Sequence, residues 1–423
     1  MKIKYQVQPN NPLNVDTKKE VRHLGSYFYI SFNKLCIMES IIFQKSFRPF
    51  FIAAGIWATL TVPFWLLNYF GILIVTDNFS ILLWHQHEML FGFVAAAITG
   101  FILTAIPNWT GRLPIKNKSL ALLLFLWILG RVGFLTTAIF GTITTSLMDL
   151  PFLIVLVLVI MREIVSGKNW RNLPVIILIL FFTLGNILVH LQIHEIIDSA
   201  ELGMRLSIFL LSILLALIGG RIVPSFTHNW LTQNQAQAFP SRVGIFDKIS
   251  LISLVVFVFV QVIAPYHQFT SLLALLTGLL HTIRFIRWKV WMTFSEPLIW
   301  ILHVGYMWLC VALVLIGLSG LTDFVPYTSS YHAMTVGAFS TMILAVMTRA
   351  SLGHTDRPLK ATSGTTAIYI FITIAAILRV YEPFLNESGI LILSLSGIFW
   401  TLSFALFVFI YFPILTQPRK SNR

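Results

Sequence analysis

The chain has 423 residues and a net charge of +13; 57% of the residues are hydrophobic and only 11% are charged. That balance excludes a soluble protein, since there is too little polar surface to cover so much apolar side chain. The basic excess could signal nucleic acid, but its placement along the chain assigns it to a membrane surface and to no nucleic acid.

A bilayer core about 30 Å thick needs roughly 20 apolar residues per helix. Twelve such segments follow one another, at about 50–74, 85–106, 119–140, 147–165, 173–193, 203–222, 246–264, 269–288, 297–319, 332–350, 364–382 and 388–415. Backbone facing lipid must be satisfied within its own segment, so these are helices and the expected fold is an all-α polytopic membrane protein. Residues 1–46 are expected to be a cytoplasmic or interfacial extension, with a candidate surface segment at 26–34. Residues 47–415 are expected to form a single transmembrane domain, and 416–423 a cytoplasmic tail. Pro49, Pro174 and Pro297 open segments 1, 5 and 9, where a missing N–H costs no hydrogen bond. Counted from them, the twelve helices fall into three groups of four.

Basic residues cluster on alternate connections: Arg112, Lys116 and Lys118; Arg162, Lys168 and Arg171; Arg221, Arg242 and Lys248; Arg284, Arg287 and Lys289; Arg349, Arg357 and Lys360. The positive-inside rule makes that side cytoplasmic, together with both termini. Anionic membrane lipid is the partner expected there.

Segments 2 and 10 repeat each other. His87–Arg112 lies on His332–Arg357 without a gap, placing Met89 on Met334, Gly92 on Gly337 and Thr110 on Thr355. Segment 6 fits the template more weakly, with Pro224 on Pro107, Thr227 on Thr110 and Met204 where the histidine should stand. Two imidazoles from separate helices can serve as axial ligands to one haem iron, so His87 and His332 are the candidate pair. The alternative is two helix-entry histidines that solvate the interface. Cys36 and Cys310 are isolated and there is no C-x-x-C-H, so any haem would be held non-covalently.

His190 and His194, four apart on segment 5, share a helix face that suits copper or zinc, with His85 as a candidate third ligand. A polar helix end is the simpler account of the same spacing. Glu88 and Glu195 each follow a histidine and could accept a ring N–H or carry protons. Arg131, Arg205 and Arg379 are the basic residues that depart from the inner side. Each needs an anion, either a haem propionate or an acid such as Asp149, Asp198, Glu201 or Glu382; Arg131, the deepest, is the leading propionate candidate. His303 is read as a core histidine satisfied by Glu296 or Tyr306. No P-loop, dinucleotide fingerprint or G-x-S-x-G occurs, which leaves a nucleotide-driven pump without support.

These stretches also carry a family resemblance. FRPFF (47–51), WHQHEMLFGF (84–93), PNWTGR (107–112), LGR (129–131), GGRIVPSFT (219–227), EPLIWILH (296–303) and VMTRASLGHTDRPL (346–359) together resemble the NnrS family of bacterial membrane proteins, linked to the nitric oxide response. One departure is HTDR, where Asp356 stands in place of an expected glycine. The resemblance implies haem b and copper as cofactors, His87 and His332 with the other outer histidines as their ligands, and nitric oxide as the small-molecule ligand. It also implies a bacterial inner-membrane location and a role in binding or detoxifying nitric oxide or protecting against nitrosative stress.

Twelve helices in three groups of four also look like the haem–copper oxidase and nitric oxide reductase arrangement, in which histidines on helices 2 and 10 hold a haem. Helices 6 and 7, which bear the copper histidines there, carry none here, so reduction of oxygen or nitric oxide does not carry over. No electron-donor site is evident and the redox partner is unknown, which leaves turnover an open question. The other readings are a proton-coupled secondary transporter with an outer His/Glu site and a metallocofactor assembly factor. Transporters of that kind tend to show inverted repeats, whereas this repeat keeps one direction.

Overall fold

A computed structural model describes residues 41–73, 78–385 and 389–419. Within them twelve helices are long and apolar enough to cross a membrane, no strand occurs, and the chain is a multi-pass, all-helical membrane protein. The helices are α1 (Phe47–Tyr69), α2 (Ile81–Thr110), α3 (Asn117–Leu135), α4 (Thr137–Ser166), α5 (Trp170–Ile193), α6 (Ala200–Gln233), α7 (Ile245–Ile263), α8 (Gln268–Met292), α9 (Pro297–Ser319), α10 (Tyr327–Gly353), α11 (Ser363–Phe384) and α12 (Gly389–Thr416). The candidate surface segment at 26–34, Cys36 and the last residues of the tail lie outside the described residues.

Several boundaries differ from the sequence expectation, two of them by changing which residues a helix carries. The third segment was expected to run to 140, but α3 ends at Leu135 and α4 begins at Thr137. Thr136 leaves helical geometry there, and Thr137 Oγ1 caps the Gly133 carbonyl at 2.8 Å. Gly141, at φ 77°, breaks helical geometry again within α4, and the stretch after it carries Thr145, Ser146 and Asp149. Helix α6 was expected to end at 222 but continues through Pro224 to Gln233, a proline costing only one ladder bond when neighbours satisfy the freed carbonyl.

Sequence neighbours pack as antiparallel pairs, α1 also lies against α12, and α2, α6 and α10 meet in the middle. Outward faces stay apolar: Phe125, Leu158, Phe259 and Phe409 are all exposed on spanning helices. On a soluble protein such patches would demand a partner; on these helices lipid covers them. Arg48 closes the ring of contacts between the chain's two ends, its buried Nη1 donating to the carbonyls of Leu415 and Gln417, each at 2.7 Å. The last carbonyls of a helix lack internal partners, and a guanidinium both bonds them and opposes the helix dipole.

The repeat seen in the sequence returns as backbone geometry. A π-type turn occupies Glu88–Val94 in α2 and Ala333–Ser340 in α10, directly after His87 and His332. Such widened turns are rare and concentrate at functional sites. Helix α6 has none, so its likeness to the other two stops short of this feature. The turns that follow also match: Gly111 has φ 69° and its register equivalent Asp356 has φ 54°. The left-handed conformation survives the loss of glycine because aspartate tolerates it better than most residues, and Asp356 pairs with Arg419.

A left-handed φ at position 111 predicts that Gly111→Val lowers the thermal midpoint of the detergent-solubilised protein, at a cost of about 1–3 kcal/mol. Asp356→Gly is expected to leave it unchanged or raise it slightly. Equal effects from the two substitutions would show that these turns do not hold the helices in place.

Candidate functional site

Five of the sequence candidates (His87, Glu88, Arg131, His190 and His194) belong to one cluster at the end of the bundle opposite the basic loops. Its centre is Asp149 of α4, almost wholly buried, together with His87 and Glu88 of α2, Arg131 of α3, and Asn186 and His190 of α5. Glycines make the room. A Cβ on Gly92 would meet Arg131 Nη1, Trp57 Nε1 and Glu88 Oε2, and one on Gly130 would meet Asp149. The Gly92 carbonyl lies in the π-type turn, off the regular ladder, and accepts the Trp127 indole N–H at 2.9 Å. Trp127 in turn lies beneath the Arg131 guanidinium at 5.7 Å.

The histidines are held for a purpose that their geometry makes plain. His87 Nδ1 donates to Glu88 Oε1 at 3.0 Å, and its Nε2 faces Asn186 Oδ1 at 2.9 Å and Asp149 Oδ2 at 3.3 Å. His190 Nε2 meets the same Asp149 Oδ2 at 3.0 Å, while its Nδ1 meets Ser146 Oγ at 2.7 Å. Both Nε2 atoms therefore converge on one carboxylate oxygen, and each ring is oriented from its far nitrogen. The metal-binding atoms of His87, Asp149 and His190 all lie within 4.8 Å of one another. Two imidazoles and one carboxylate, each ring turned by an outer acceptor, are a donor set for a transition metal.

Charge makes the same point. Glu88 and Asp149 carry two negative charges, and Arg131 pairs with both, at 3.3 Å to Glu88 and more closely to Asp149. One further positive charge is needed, because a buried uncompensated carboxylate is costly. A second proton on His87 supplies it, since both ring nitrogens face acceptors. A cation seated between the Nε2 atoms supplies it equally. Phe134 stacks on the His87 ring at 3.8 Å and edges His190 at 5.6 Å, keeping water from that side.

A second set lies apart from this one. A cavity of about 580 Å³ opens among α1, α2, α5, α6, α10, α11 and α12, and His85, His332, Arg205 and Arg379 all line it. Its size falls in the roughly 300–1,000 Å³ typical of cofactor and small-molecule sites. His332 Nδ1 donates to the Thr328 carbonyl at 2.7 Å, which fixes the tautomer and leaves Nε2 as the free ligand atom. The His85 ring lies against Trp65 at 4.4 Å, and its Nδ1 is buried with no hydrogen-bond partner. Arg205 bonds Glu201 at 2.7 Å yet keeps a buried, unpartnered Nε, and Arg379 bonds Glu382 at 2.5 Å.

The structure thus regroups the sequence candidates. His87, paired with His332 by register, does not line the cavity; His85 stands there with His332 instead. Arg131, the leading propionate candidate, faces Asp149 and Glu88, while Arg205 and Arg379 reach the cavity. His194 joins the buried cluster only through Ser146 Oγ, at 2.8 Å. Glu195 is exposed. His303 is a buried core residue whose Nε2 meets Thr227 Oγ1 at 2.9 Å, with neither Glu296 nor Tyr306 as its partner and with Nδ1 left unpartnered. Asp149, offered in the sequence as an acid for Arg131, is that partner and also meets both histidines, whereas Asn186 and Ser146 escaped as site members.

The charge balance predicts a strong non-additivity. Arg131→Met leaves Glu88 and Asp149 without a guanidinium and should cost about 3–5 kcal/mol of stability. Adding Asp149→Leu to that variant removes one of the two unpaired carboxylates, leaves Glu88 with His87 and should recover part of the cost, while Asp149→Leu alone keeps the pair between Arg131 and Glu88. A double-mutant cycle by thermal melting in detergent reads this out; simple additivity would mean that the two groups do not depend on each other.

The family profile described as NnrS protein matches residues 41–419, and the chain belongs to that family. No curated protein matches the chain.

Proposed function

We propose that this NnrS-family membrane protein is a haem-b and copper protein of the nitric oxide response, with the two cofactors in the two separate sites. The observation that carries the reading is the cavity in which His85 and His332 stand with two arginines. His332 and His85 offer imidazole nitrogens from α10 and α2, and Arg205 and Arg379 offer guanidinium groups to the carboxylates of a porphyrin. When bound, haem supplies an iron that takes nitric oxide as a ligand.

The chain's own residues do the rest. His332 is pinned by Thr328 and acts as the fixed ligand. His85, packed against Trp65 with its Nδ1 unpartnered, would be the second imidazole available to the iron. Val62, Leu90 and Trp400 give the cavity an apolar wall that would shield a bound porphyrin from bulk water. In the buried cluster, His87, His190 and Asp149 hold copper, with Glu88 and Ser146 taking the outward ring nitrogens. The family resemblance points to copper, and the donor set suits it.

The alternation of basic loops supports a cytoplasmic basic side with both termini there, and a cavity opening on the periplasmic side of a bacterial inner membrane. The meeting of α2, α6 and α10 supports three four-helix groups about one centre.

The test is an optical spectrum and metal analysis of detergent-purified protein. A Soret band is expected, abolished by His332→Ala and lost or shifted by His85→Ala. His87→Ala and His190→Ala should keep the band and lose copper. A band lost in His87→Ala and untouched in His85→Ala would return the haem to the pairing expected from the repeat. Haem-free protein that moves a solute would favour the transporter reading.

A further inference from the structure

A smaller void of about 90 Å³ adjoins the cavity. On α2, α6 and α10 it begins where the cavity stops, one turn further from the histidines: Val94–Phe101, Leu211–Ile222 and Phe339–Met347. Every residue lining it is apolar, or glycine. Val94 and Phe339 line both spaces, so they form the partition between them. These two are register equivalents in the repeat; Val94 ends the π-type stretch of α2 and Phe339 is the last residue but one of that in α10.

The chemistry of this void is restrictive. A water molecule needs two to four polar partners, and none is present; apolar cavities stay dry and take up xenon or small hydrocarbons. An ion or a polar solute would lose its hydration with no compensation. Only a small, uncharged, weakly polar molecule is accepted. The void lies mid-span, where the surrounding medium is hydrocarbon, and such molecules prefer that medium to water. Ile98, Phe101, Ile218 and Ile343 on its wall are only half-buried.

We propose that this void is a passage and holding site for small uncharged gas molecules, connecting the bilayer interior to the cavity, with Val94 and Phe339 as its neck. The inference rests on reading the cavity as the haem site. It differs from entry through the polar mouth beside Arg205 and Arg379, because it draws ligand from the membrane, where such gases concentrate.

Two measurements test it. First, crystals of the unsubstituted protein under xenon pressure should show xenon among Phe51, Leu215 and Met342. An empty void overturns the proposal whether or not haem is bound. Second, Ala97→Phe fills the void from a position that touches neither histidine. Flash photolysis of the carbon monoxide complex should then show rebinding from solution slowed severalfold, with the Soret maximum unmoved. Leu215→Phe serves as a second filling variant should the first not fold, since overpacking can prevent folding. Unchanged rebinding in a folded variant with a filled void overturns the passage. Xenon bound in protein that carries no haem overturns the cofactor reading and removes the passage's destination.

Discussion

Two carboxylates buried between helices of a membrane protein set the terms for everything around them. Glu88 and Asp149 are almost wholly shielded from solvent, and neither can remain ionised there without a counter-charge. Arg131 answers part of that demand and must itself be threaded between α2, α3 and α4. Gly92 is the opening it uses, and Gly130 makes the matching room for Asp149. The remaining positive charge falls to the space between His87 and His190. Structure and chemistry meet at that point: the arrangement that neutralises the cluster is also one that binds a cation.

Helix geometry explains why the two sites are distinct although their histidines are adjacent in sequence. Residues two apart on an α-helix point about 200° away from each other at 3.6 residues per turn. His85 and His87 therefore face opposite sides of α2. One ring enters the cavity shared with α6 and α10, and the other turns toward α4 and α5. The π-type stretch that follows widens the helix where the Gly92 carbonyl must reach Trp127. A matching stretch in α10 aligns His332 beside the same cavity.

The topology was legible because it depends on composition and period alone. Twelve apolar segments, alternate basic loops and the repeat between α2 and α10 needed no knowledge of contacts. The partners of individual histidines were not legible, because they depend on the rotation of each helix about its axis. Register equivalence placed His87 with His332, but equivalence says nothing about which of two neighbouring histidines faces inward. Asp149 was named as one of four acids that could pair with an arginine; its bond to the histidines emerges when the helical stretch after Gly141 is seen to carry Ser146 and Asp149 opposite His190. Arg131 was rightly singled out as needing an anion, and the nearest one is a protein carboxylate.

The most direct test of two separate metal sites is anomalous diffraction from crystals of the loaded protein, recorded at the iron and copper edges. The account predicts an iron peak in the cavity beside His332 and His85, and a separate copper peak among His87, His190 and Asp149. An iron peak beside His87, or both metals in the cavity with nothing between His87 and His190, would contradict it.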